Sequence, residues 1–357
     1  MTEVVVTNLN PRFTGVSSTA ARLIPIQAAQ FDLALAGHPL PGCPKPVTLA
    51  RARALTRTPP PDRPFAIWHV RRNNEMRAAL WARDVLRLPI RIVFTSAGTH
   101  RHSALPRWLM GRMDALIATI PAAARNKPHV RAVVPHGVDC RVWHPAKDRA
   151  AAWAATGFPG RRGVAAVGRV RESKGTDRFV ETMLRVLPKH RDVTALVLGL
   201  ARPQDRAWQD DLRAKARAAG LGDRLLFPGE IPAHDMPALI RACSLTVPLP
   251  RYEPYGMTPL EGMASGVPFV GSPTGAFSTF AADGTAGIVV EEGNLVDDAA
   301  AAVDTLLANP DWLAKMARRA RERAVAFHSI ETEAAGIGAV YETLWEEGRS
   351  ARARIAS

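Results

Sequence analysis

The chain has 357 residues, with 47 lysines and arginines, 33 acidic residues and a formal net charge of +14. This length suits two domains, and no run of about 18 apolar residues is present that could span a membrane. The three cysteines are scattered without metal-binding spacing, which leaves a disulfide framework and a zinc site unsupported. The first residues lack the basic start and cleavable apolar region of a signal peptide, and this predicts a cytoplasmic protein.

The positive charge is concentrated in the N-terminal half. Residues 1–150 contain 22 basic and 8 acidic residues, a net of +14, whereas the remaining residues balance. A one-sided basic domain attracts an anionic membrane surface, a phosphorylated acceptor or nucleic acid. An arginine-rich composition that only keeps the protein soluble would give the same count. The arginines expected to face such a partner are Arg51, Arg53, Arg57 and Arg63.

Apolar, β-rich runs alternate with helical patterns through the first half. Strands are predicted over residues 3–8, 31–36, 65–70, 90–96, 114–120 and 130–134, and helices over about 18–30 and 74–86. Repeated βα units of this kind predict an α/β fold with doubly wound parallel sheets. In the loop after the first strand, Gly15 would let the backbone approach a ligand closely.

Polar side chains follow two of these strands. His69, Arg71 and Arg72 come at the end of the third strand, and His100 follows the fourth. The carboxyl ends of strands are where α/β proteins place ligands, so all four residues are candidates for a site. A single histidine at a strand end is also compatible with a purely structural role.

The second half opens with a phosphate-binding pattern. A strand over residues 163–170 leads through a basic loop to a helix that begins at Thr176. Arg169 and Lys174 are five residues apart across this turn, so both can reach one pyrophosphate beside the helix N-terminus. No G-x-G-x-x-G and no P-loop occurs, which leaves dinucleotide binding and nucleoside triphosphate hydrolysis unsupported.

A second strand–loop–helix unit follows at residues 244–268. The apolar run 244–249 predicts a strand, Glu253 lies in the loop, and Thr258 and Pro259 predict a helix N-cap and first helical residue. Gly266 is expected to end that helix. Glu261 can be a capping-box residue and Glu253 a solvated loop carboxylate, or both can flank an anion site at the helix N-terminus.

The string from Glu253 to Pro268 resembles the signature of the family 4 retaining glycosyltransferases. In that family two glutamates are separated by seven residues, and the positions that match here are Glu253, Gly256, Glu261, Ala264, Gly266 and Pro268. The resemblance implies two Rossmann-like doubly wound domains facing a central cleft, the GT-B type. Residues 135–145 resemble the family's link between domains. We therefore expect an acceptor-side domain over 1–145, completed by a C-terminal helix at about 330–357, and a nucleotide-sugar domain over 146–329.

The resemblance also implies roles for individual residues. Arg169 and Lys174 would stabilise the departing diphosphate, Glu253 would face the donor sugar, and Glu261 would hold the ribose hydroxyls. Either His69 or Arg71 would lie next to the reacting sugar, because two registers that differ by two residues match the family's pattern. The catalytic candidates are thus His69, Arg169, Lys174 and Glu253. The further donor-binding candidates are Gly15, Gly229, Tyr255, Gly256, Met257, Thr258 and Glu261, and the acceptor-side candidates are Arg71, Arg72 and His100.

Three short segments narrow the resemblance to the mannosyltransferases of lipopolysaccharide core assembly in Gram-negative bacteria. They are residues 67–73, 94–97 and 251–256. The likeness implies GDP-mannose as donor, a lipopolysaccharide core or related glycolipid as acceptor, and a location on the cytoplasmic face of the inner membrane. No Asp-x-Asp motif lies in a suitable loop, so we expect no metal and no cofactor.

Two alternatives remain from the sequence. One is another hexosyltransferase of envelope glycan synthesis that uses UDP-glucose or UDP-galactose. The other, from a different class, is a basic nucleic-acid-binding protein. The sequence has neither an aromatic stacking motif nor a recognition helix with a basic face, so nucleic acid is not an expected partner.

Overall fold

Strands and helices alternate along the chain in a computed structural model that describes residues 1–98, 103–125 and 127–356. The chain divides into two units, one formed by Met1–Gly137 with Ile330–Ser357 and the other by Val138–Ser329. The expected boundary after Pro145 falls inside the second unit. The segment that follows Gly137 packs there, because the Val138 amide donates to the His328 carbonyl at 2.9 Å and Trp143 is buried.

The first unit is built on a six-stranded parallel sheet with the order β2-β1-β3-β4-β5-β6. Its strands are β1 (Val4–Asn8), β2 (Leu33–Gly37), β3 (Ala66–Val70), β4 (Ile90–Ser96), β5 (Ala115–Ala118) and β6 (Val130–Val133). The helices between them are α1 (Gly15–Ala28), α2 (Leu49–Leu55), α3 (Asn73–Leu80), α4 (Ala104–Gly111) and α5 (Pro121–Ala124). A π-helical turn, Trp81–Val85, extends α3.

The strands of this sheet are apolar because both of its faces are covered. Successive side chains of a strand point to opposite faces. Val4 and Val6 therefore pack into one core and Val5 into the other. The chain order reverses between β1 and β3, which makes the loops after these two strands the expected place for a ligand.

The second unit has a four-stranded parallel sheet with the order β10-β7-β8-β9, and a separate parallel pair β11-β12. The strands are β7 (Arg162–Val167), β8 (Val193–Leu198), β9 (Leu225–Gly229), β10 (Leu245–Thr246), β11 (Val270–Gly271) and β12 (Ile288–Val289). The helices are α6 (Arg149–Ala154), α7 (Thr176–Val186), α8 (Arg206–Ala218), α9 (Met236–Ala242), α10 (Met257–Ala264), α11 (Phe277–Ala281), α12 (Leu295–Ala308) and α13 (Pro310–His328).

Strand β10 is much shorter than the predicted run 244–249. Pro248 and Pro250 lack the amide hydrogen that a strand needs for its ladder, so regular pairing ends early. In the four-stranded sheet the strand order reverses between β7 and β10, and this place is the switch point of the second unit. The loops that follow these two strands carry the predicted phosphate-binding residues and the first glutamate of the signature.

The final helix, α14 (Ile330–Ala356), packs in the first unit. Trp345 is fully buried and its indole nitrogen donates to the Phe65 carbonyl at 2.9 Å. Arg63 forms two bonds with the Glu342 carboxylate, at 2.6 and 2.8 Å, and lies over the Trp345 ring. The expectation that Arg63 faces an anionic partner is therefore wrong, because its guanidinium ties the β2–β3 segment to α14. No helix in the described ranges is both long and apolar enough to cross a membrane.

Candidate active site

The two loops at the switch point of the second unit touch through a glycine. Gly175 precedes α7 and has φ +69°, a left-handed conformation that favours glycine. A Cβ at this position would lie 1.8 Å from the carbonyl oxygen of Leu249, in the loop after β10. Only a residue without a side chain allows this approach, so Gly175 holds the basic loop against the loop that carries Glu253.

Lys174 and Glu253 form an ion pair in a cleft between these loops. The Lys174 Nζ lies 2.5 Å from the Glu253 Oε2, and both side chains remain partly exposed. Arg169, Thr258 and Phe277 line the same cleft. Residues that lie 79 positions apart in the chain thus meet as the sequence predicts.

The cleft is electrostatically suited to an anion. Arg169 is exposed, and partial desolvation followed by the charges of the neighbouring Arg171 and Arg202 lowers its pKa. Cations crowded in this way repel one another, and a bound anion would relieve the repulsion. Thr258 and Pro259 of the first turn of α10 line the same cleft. The start of a helix presents amides without partners inside the helix and the positive end of the helix dipole, and both favour an anion.

The start of α10 differs from the prediction. The helix begins at Met257 with Gly256 as its N-cap, so Thr258 lies in the first turn and is not the cap. Gly256 has φ +107°, and a Cβ there would lie 2.2 Å from the Phe277 ring. This contact places the helix start two residues earlier than the local Thr-Pro pattern indicates. Met257 is half-buried at that start.

The second glutamate of the signature lies beyond the first turn. With Gly256 as N-cap, Glu261 is too far along α10 to be the residue of a capping box, which is the third of the helix. The interpretation of Glu261 as a capping-box residue required Thr258 as the N-cap, and the N-cap is Gly256 instead. The predicted end of the helix is confirmed, because Gly266 has φ +67° and the Val267 amide donates to the Gly262 carbonyl at 2.8 Å.

Two other donor-side candidates lie at different places around this site. Tyr255 is buried with its ring edge-on to Phe280, at 5.5 Å between centroids, so it packs in the core and does not line the cleft. Gly229 ends β9, and its carbonyl accepts the Gly199 amide at 2.8 Å. A Cβ on Gly199 would meet the Gly168 carbonyl at 2.1 Å, so these glycines share the edge of the sheet next to the cleft.

A buried carboxylate that the sequence did not single out organises the first unit's switch point. Glu75 is fully buried in α3 and accepts hydrogen bonds from the Thr7 hydroxyl at 3.0 Å, the Leu9 amide at 3.1 Å and the Arg71 amide at 2.8 Å. It also accepts from the Arg72 guanidinium at 2.9 Å. Glu75 therefore fixes the loops after β1 and β3 together. An acidic residue in the first turn of a helix that follows a strand is the only signal the sequence offers for it.

Arg72 has its hydrogen-bond donors committed inside the protein. Besides Glu75 they contact Asn8 at 3.1 Å, Thr14 at 3.2 Å and Ser17 at 2.8 Å. The expected acceptor-side role of Arg72 is therefore replaced by a structural one, since the side chain holds the loop that leads into α1. Gly15 is the first residue of that helix.

His69 is buried and has no nitrogen left for a substrate. Its Nδ1 lies 2.5 Å from the Tyr341 hydroxyl and its Nε2 2.7 Å from the Thr95 hydroxyl. Burial, followed by the charge of Arg71, holds the His69 pKa well below its usual range, so the ring is neutral at pH 7. This geometry gives His69 a structural role and not the predicted catalytic one.

Arg71 is the polar candidate that retains binding capacity. Its Nη atoms are buried and have no hydrogen-bond acceptor among the described residues, and burial lowers its pKa. A buried guanidinium without acceptors is costly, so an anionic ligand group would stabilise it. Between His69 and Arg71, Arg71 is therefore the better candidate for the position next to the reacting sugar. His100 lies outside the described residues. Within the described ranges, no group of three or more His, Cys, Asp or Glu could hold a metal ion.

Comparison with known proteins shows the family of the chain. The family model described as "Glycosyl transferases group 1" matches residues 148–323. The chain is 38% identical to the lipopolysaccharide core biosynthesis mannosyltransferase LpcC of Rhizobium leguminosarum bv. viciae over 351 residues, covering 98% of both chains. It is 40% identical to the corresponding mannosyltransferase LpsB of Rhizobium meliloti (strain 1021) over 352 residues, covering 96% of this chain and 97% of the relative.

Solved structures agree with the fold. The C-terminal domain of the group 1 glycosyl transferase LpcC from Francisella tularensis aligns over 54% of this chain and all of that chain, with 31% identity and a TM-score of 0.52. Anabaena Alr3699/HepE in complex with UDP aligns over 96% of this chain and all of that chain, with 16% identity and a TM-score of 0.80. The second likeness supports the fold alone. The chain thus belongs to the group 1 glycosyl transferases, the family predicted from Glu253 and Glu261, and is a glycosyltransferase of the GT-B type.

Proposed function

We propose that this glycosyltransferase moves mannose from GDP-mannose to a lipopolysaccharide core or a related glycolipid acceptor, with retention of the anomeric configuration. The observation that carries the proposal is the cleft in which Arg169, Lys174 and Glu253 converge beside the start of α10. The likeness over nearly the full length to two enzymes named as lipopolysaccharide core mannosyltransferases supports the choice of sugar and acceptor.

The cations of the cleft would act on the leaving group. When the bond from the sugar C1 to the diphosphate breaks, the electron pair stays on the diphosphate oxygen and negative charge builds up there. Positive groups fixed in advance at that point lower the barrier, because they need no reorganisation as the charge develops. An ammonium has three hydrogens to donate, so Lys174 can bond the diphosphate while it keeps its contact with Glu253.

The two glutamates would then hold different parts of the donor. In this proposal Glu253 faces the sugar and Glu261 binds the ribose hydroxyls. The loop of Glu253 is rigid, because its backbone amide donates a hydrogen bond to the Thr274 hydroxyl at 3.1 Å and a Cβ on Gly275 would lie 2.5 Å from the Tyr255 carbonyl. A rigid loop keeps a carboxylate at a constant distance from the reacting carbon, which favours reaction.

The two units differ in net charge, and the difference matches the proposed assignment of the acceptor to the first unit and the donor to the second. The first unit contains 22 basic and 11 acidic residues, a net of +11, and the second 25 and 22, a net of +3. The donor site lies in the second unit, so the excess charge of the first is available for an acidic acceptor on an anionic leaflet. We therefore place the enzyme on the cytoplasmic face of the inner membrane.

A donor panel tests the proposal. The purified full-length protein is incubated with lipopolysaccharide core acceptor and GDP-mannose, UDP-glucose or UDP-galactose, and nucleotide release and product mass are measured. We expect acceptor-dependent GDP release with addition of one mannose, and NMR of the product should show the α configuration of the donor. Preferential release of UDP would show that the donor is a UDP-sugar and not GDP-mannose. An inverted anomeric centre in the product would refute retention. Arg169→Ala serves as the matched inactive control.

A further inference from the structure

Five large apolar side chains are exposed on one part of the first unit. Trp81, Val85 and Leu86 lie at the end of α3, and Leu105 and Trp108 lie on α4, with exposed fractions between 41% and 62%. Single exposed apolar residues are ordinary, but a group of them marks an interaction surface. We call these five residues the tryptophan face.

The two tryptophans belong to the same surface. The Asp84 carboxylate, next to Val85, accepts a bond from Arg112 at 2.8 Å, and the Arg112 guanidinium carbon lies 5.6 Å from the centre of the Trp108 ring. A chain of direct contacts therefore connects the end of α3 with α4. On the other side, the Arg53 guanidinium carbon from α2 lies 4.3 Å from the centre of the Trp81 ring.

Helical spacing directs these side chains outward. Leu105 and Trp108 are three residues apart on α4, so they share one side of the helix, while Leu109 and Met110 are buried on the other. The tryptophan face is thus the outer side of an amphipathic structure whose inner side belongs to the core.

Exposed arginines lie within four residues along the chain of Arg53, Trp81, Leu86 or Trp108. They are Arg51, Arg57, Arg77, Arg87 and Arg107. The carboxylate of Asp84 does not offset them, because Arg83 and Arg112 already bond it. This part of the first unit therefore combines exposed bulky apolar groups with exposed positive charge.

We propose that the tryptophan face docks the enzyme on an anionic bilayer, with Trp81 and Trp108 in the headgroup region and the arginines on lipid phosphates. This inference rests on the proposed function, in which the acceptor is a membrane glycolipid. Indole rings with both an apolar body and a polar N–H partition into the membrane interface, and arginines beside them add attraction to anionic lipid. Binding of nucleic acid would require only the arginines and would not explain why valine and leucine are exposed beside them.

Vesicle flotation of the full-length protein tests the surface. Vesicles of phosphatidylethanolamine with phosphatidylglycerol are compared with vesicles of phosphatidylcholine. The variant Trp81→Ser with Trp108→Ser should bind the anionic vesicles about tenfold more weakly. The control Trp312→Ser removes a tryptophan that is 42% exposed in the second unit and should bind as wild type does.

A second pair of variants isolates the charge. Reversal of Arg51, Arg57 and Arg107 to glutamate should weaken binding by at least about a hundredfold, since each basic residue near such a surface contributes roughly fivefold. The control reverses three exposed arginines of the second unit and should bind normally; these are Arg191, Arg217 and Arg318. Binding by the wild type should fall as salt screens the attraction.

A direct measurement on the wild-type protein protects the test against misfolding of a variant. Tryptophan fluorescence of the wild type should be quenched by brominated lipid in anionic vesicles, and the quenching should be lost in the double tryptophan variant. Equal binding to neutral vesicles, unchanged binding by that variant, a dimer that the variant abolishes, or tighter binding to DNA would each overturn the proposal. Donor and acceptor are absent from flotation, so failure of the proposed transfer reaction leaves this test intact. Nucleotide release measured without membranes should be unchanged in the tryptophan variant.

Discussion

Lys174→Ala should separate the turnover of this enzyme from its stability. The Lys174–Glu253 pair is partly exposed, with 26% and 20% of the two side chains accessible. Pairs of this kind contribute about 1 kcal/mol or less to folding. Loss of a group that stabilises charge in the transition state costs about 2.7–4 kcal/mol, or roughly 10²–10³ in kcat. We therefore expect a large drop in kcat with almost no change in melting temperature.

A double-mutant cycle distinguishes two explanations for that drop. If Lys174 acts only by orienting Glu253, the variant Lys174→Ala with Glu253→Gln should be no slower than the slower of the two single variants. If Lys174 acts on the diphosphate and Glu253 on the sugar, the double variant should be slower than both. The proposed function requires the second result. Lys174→Arg retains the positive charge and should recover part of the activity.

The measurements are kcat and KM for the donor at saturating acceptor, with thermal unfolding of each variant. A kcat within about threefold of wild type in Lys174→Ala would refute the leaving-group role. A parallel loss of activity and melting temperature would make the lysine a structural tie between the two loops. Arg169→Ala is the companion variant, and because Arg169 is exposed its effect on unfolding should be smaller still.

Three further predictions concern the donor, metal ions and pH. Glu261→Gln should raise the donor KM about tenfold at an unchanged melting temperature, since a neutral amide binds ribose hydroxyls more weakly than a carboxylate; normal donor binding with a lower melting temperature would contradict this. Activity should persist in excess EDTA, and a loss restored by magnesium or manganese would reveal a metal requirement. Burial lowers the His328 pKa to about 4, whereas the unfolded chain takes up that proton near pH 6.5. Stability should therefore fall as the pH drops from 6.5 toward 4, by up to about 1.4 kcal/mol per pH unit, and His328→Phe should show a shallower fall in unfolding experiments.

The convergence of Arg169, Lys174 and Glu253 could be predicted because it depends on topology. Parallel strands bring their carboxyl ends to one edge, and the reversal between β7 and β10 brings the two loops together. The end of α10 could be predicted equally well, since a glycine followed shortly by a proline ends a helix through local conformational preferences. Features of this kind require only the order of strands and the conformational preferences of nearby residues.

The start of α10 and the role of His69 could not be predicted, because both depend on distant contacts. The left-handed Gly256 fits against Phe277, a residue of the following helix, and this overrides the local Thr-Pro signal. His69 is closed off by Tyr341, which lies 272 positions away in α14. A strand-end histidine has the same local sequence whether or not a later helix covers it.

Glu75 illustrates the same limit at the loops of the first unit. A fully buried carboxylate is strongly destabilising unless its oxygens accept enough hydrogen bonds, and here two amides, a hydroxyl and a guanidinium supply them. Those donors come from two separate segments, residues 7–9 and 71–72, so the carboxylate can be buried only when both are in place. The cost of burying Glu75 thus favours a single arrangement of the β1 and β3 loops, and Arg71 is held beside that network with its Nη atoms unbonded within the described residues. In the proposed reaction, a substitution at Glu75 or Arg72 would therefore act on acceptor binding through the position of these loops and of Arg71.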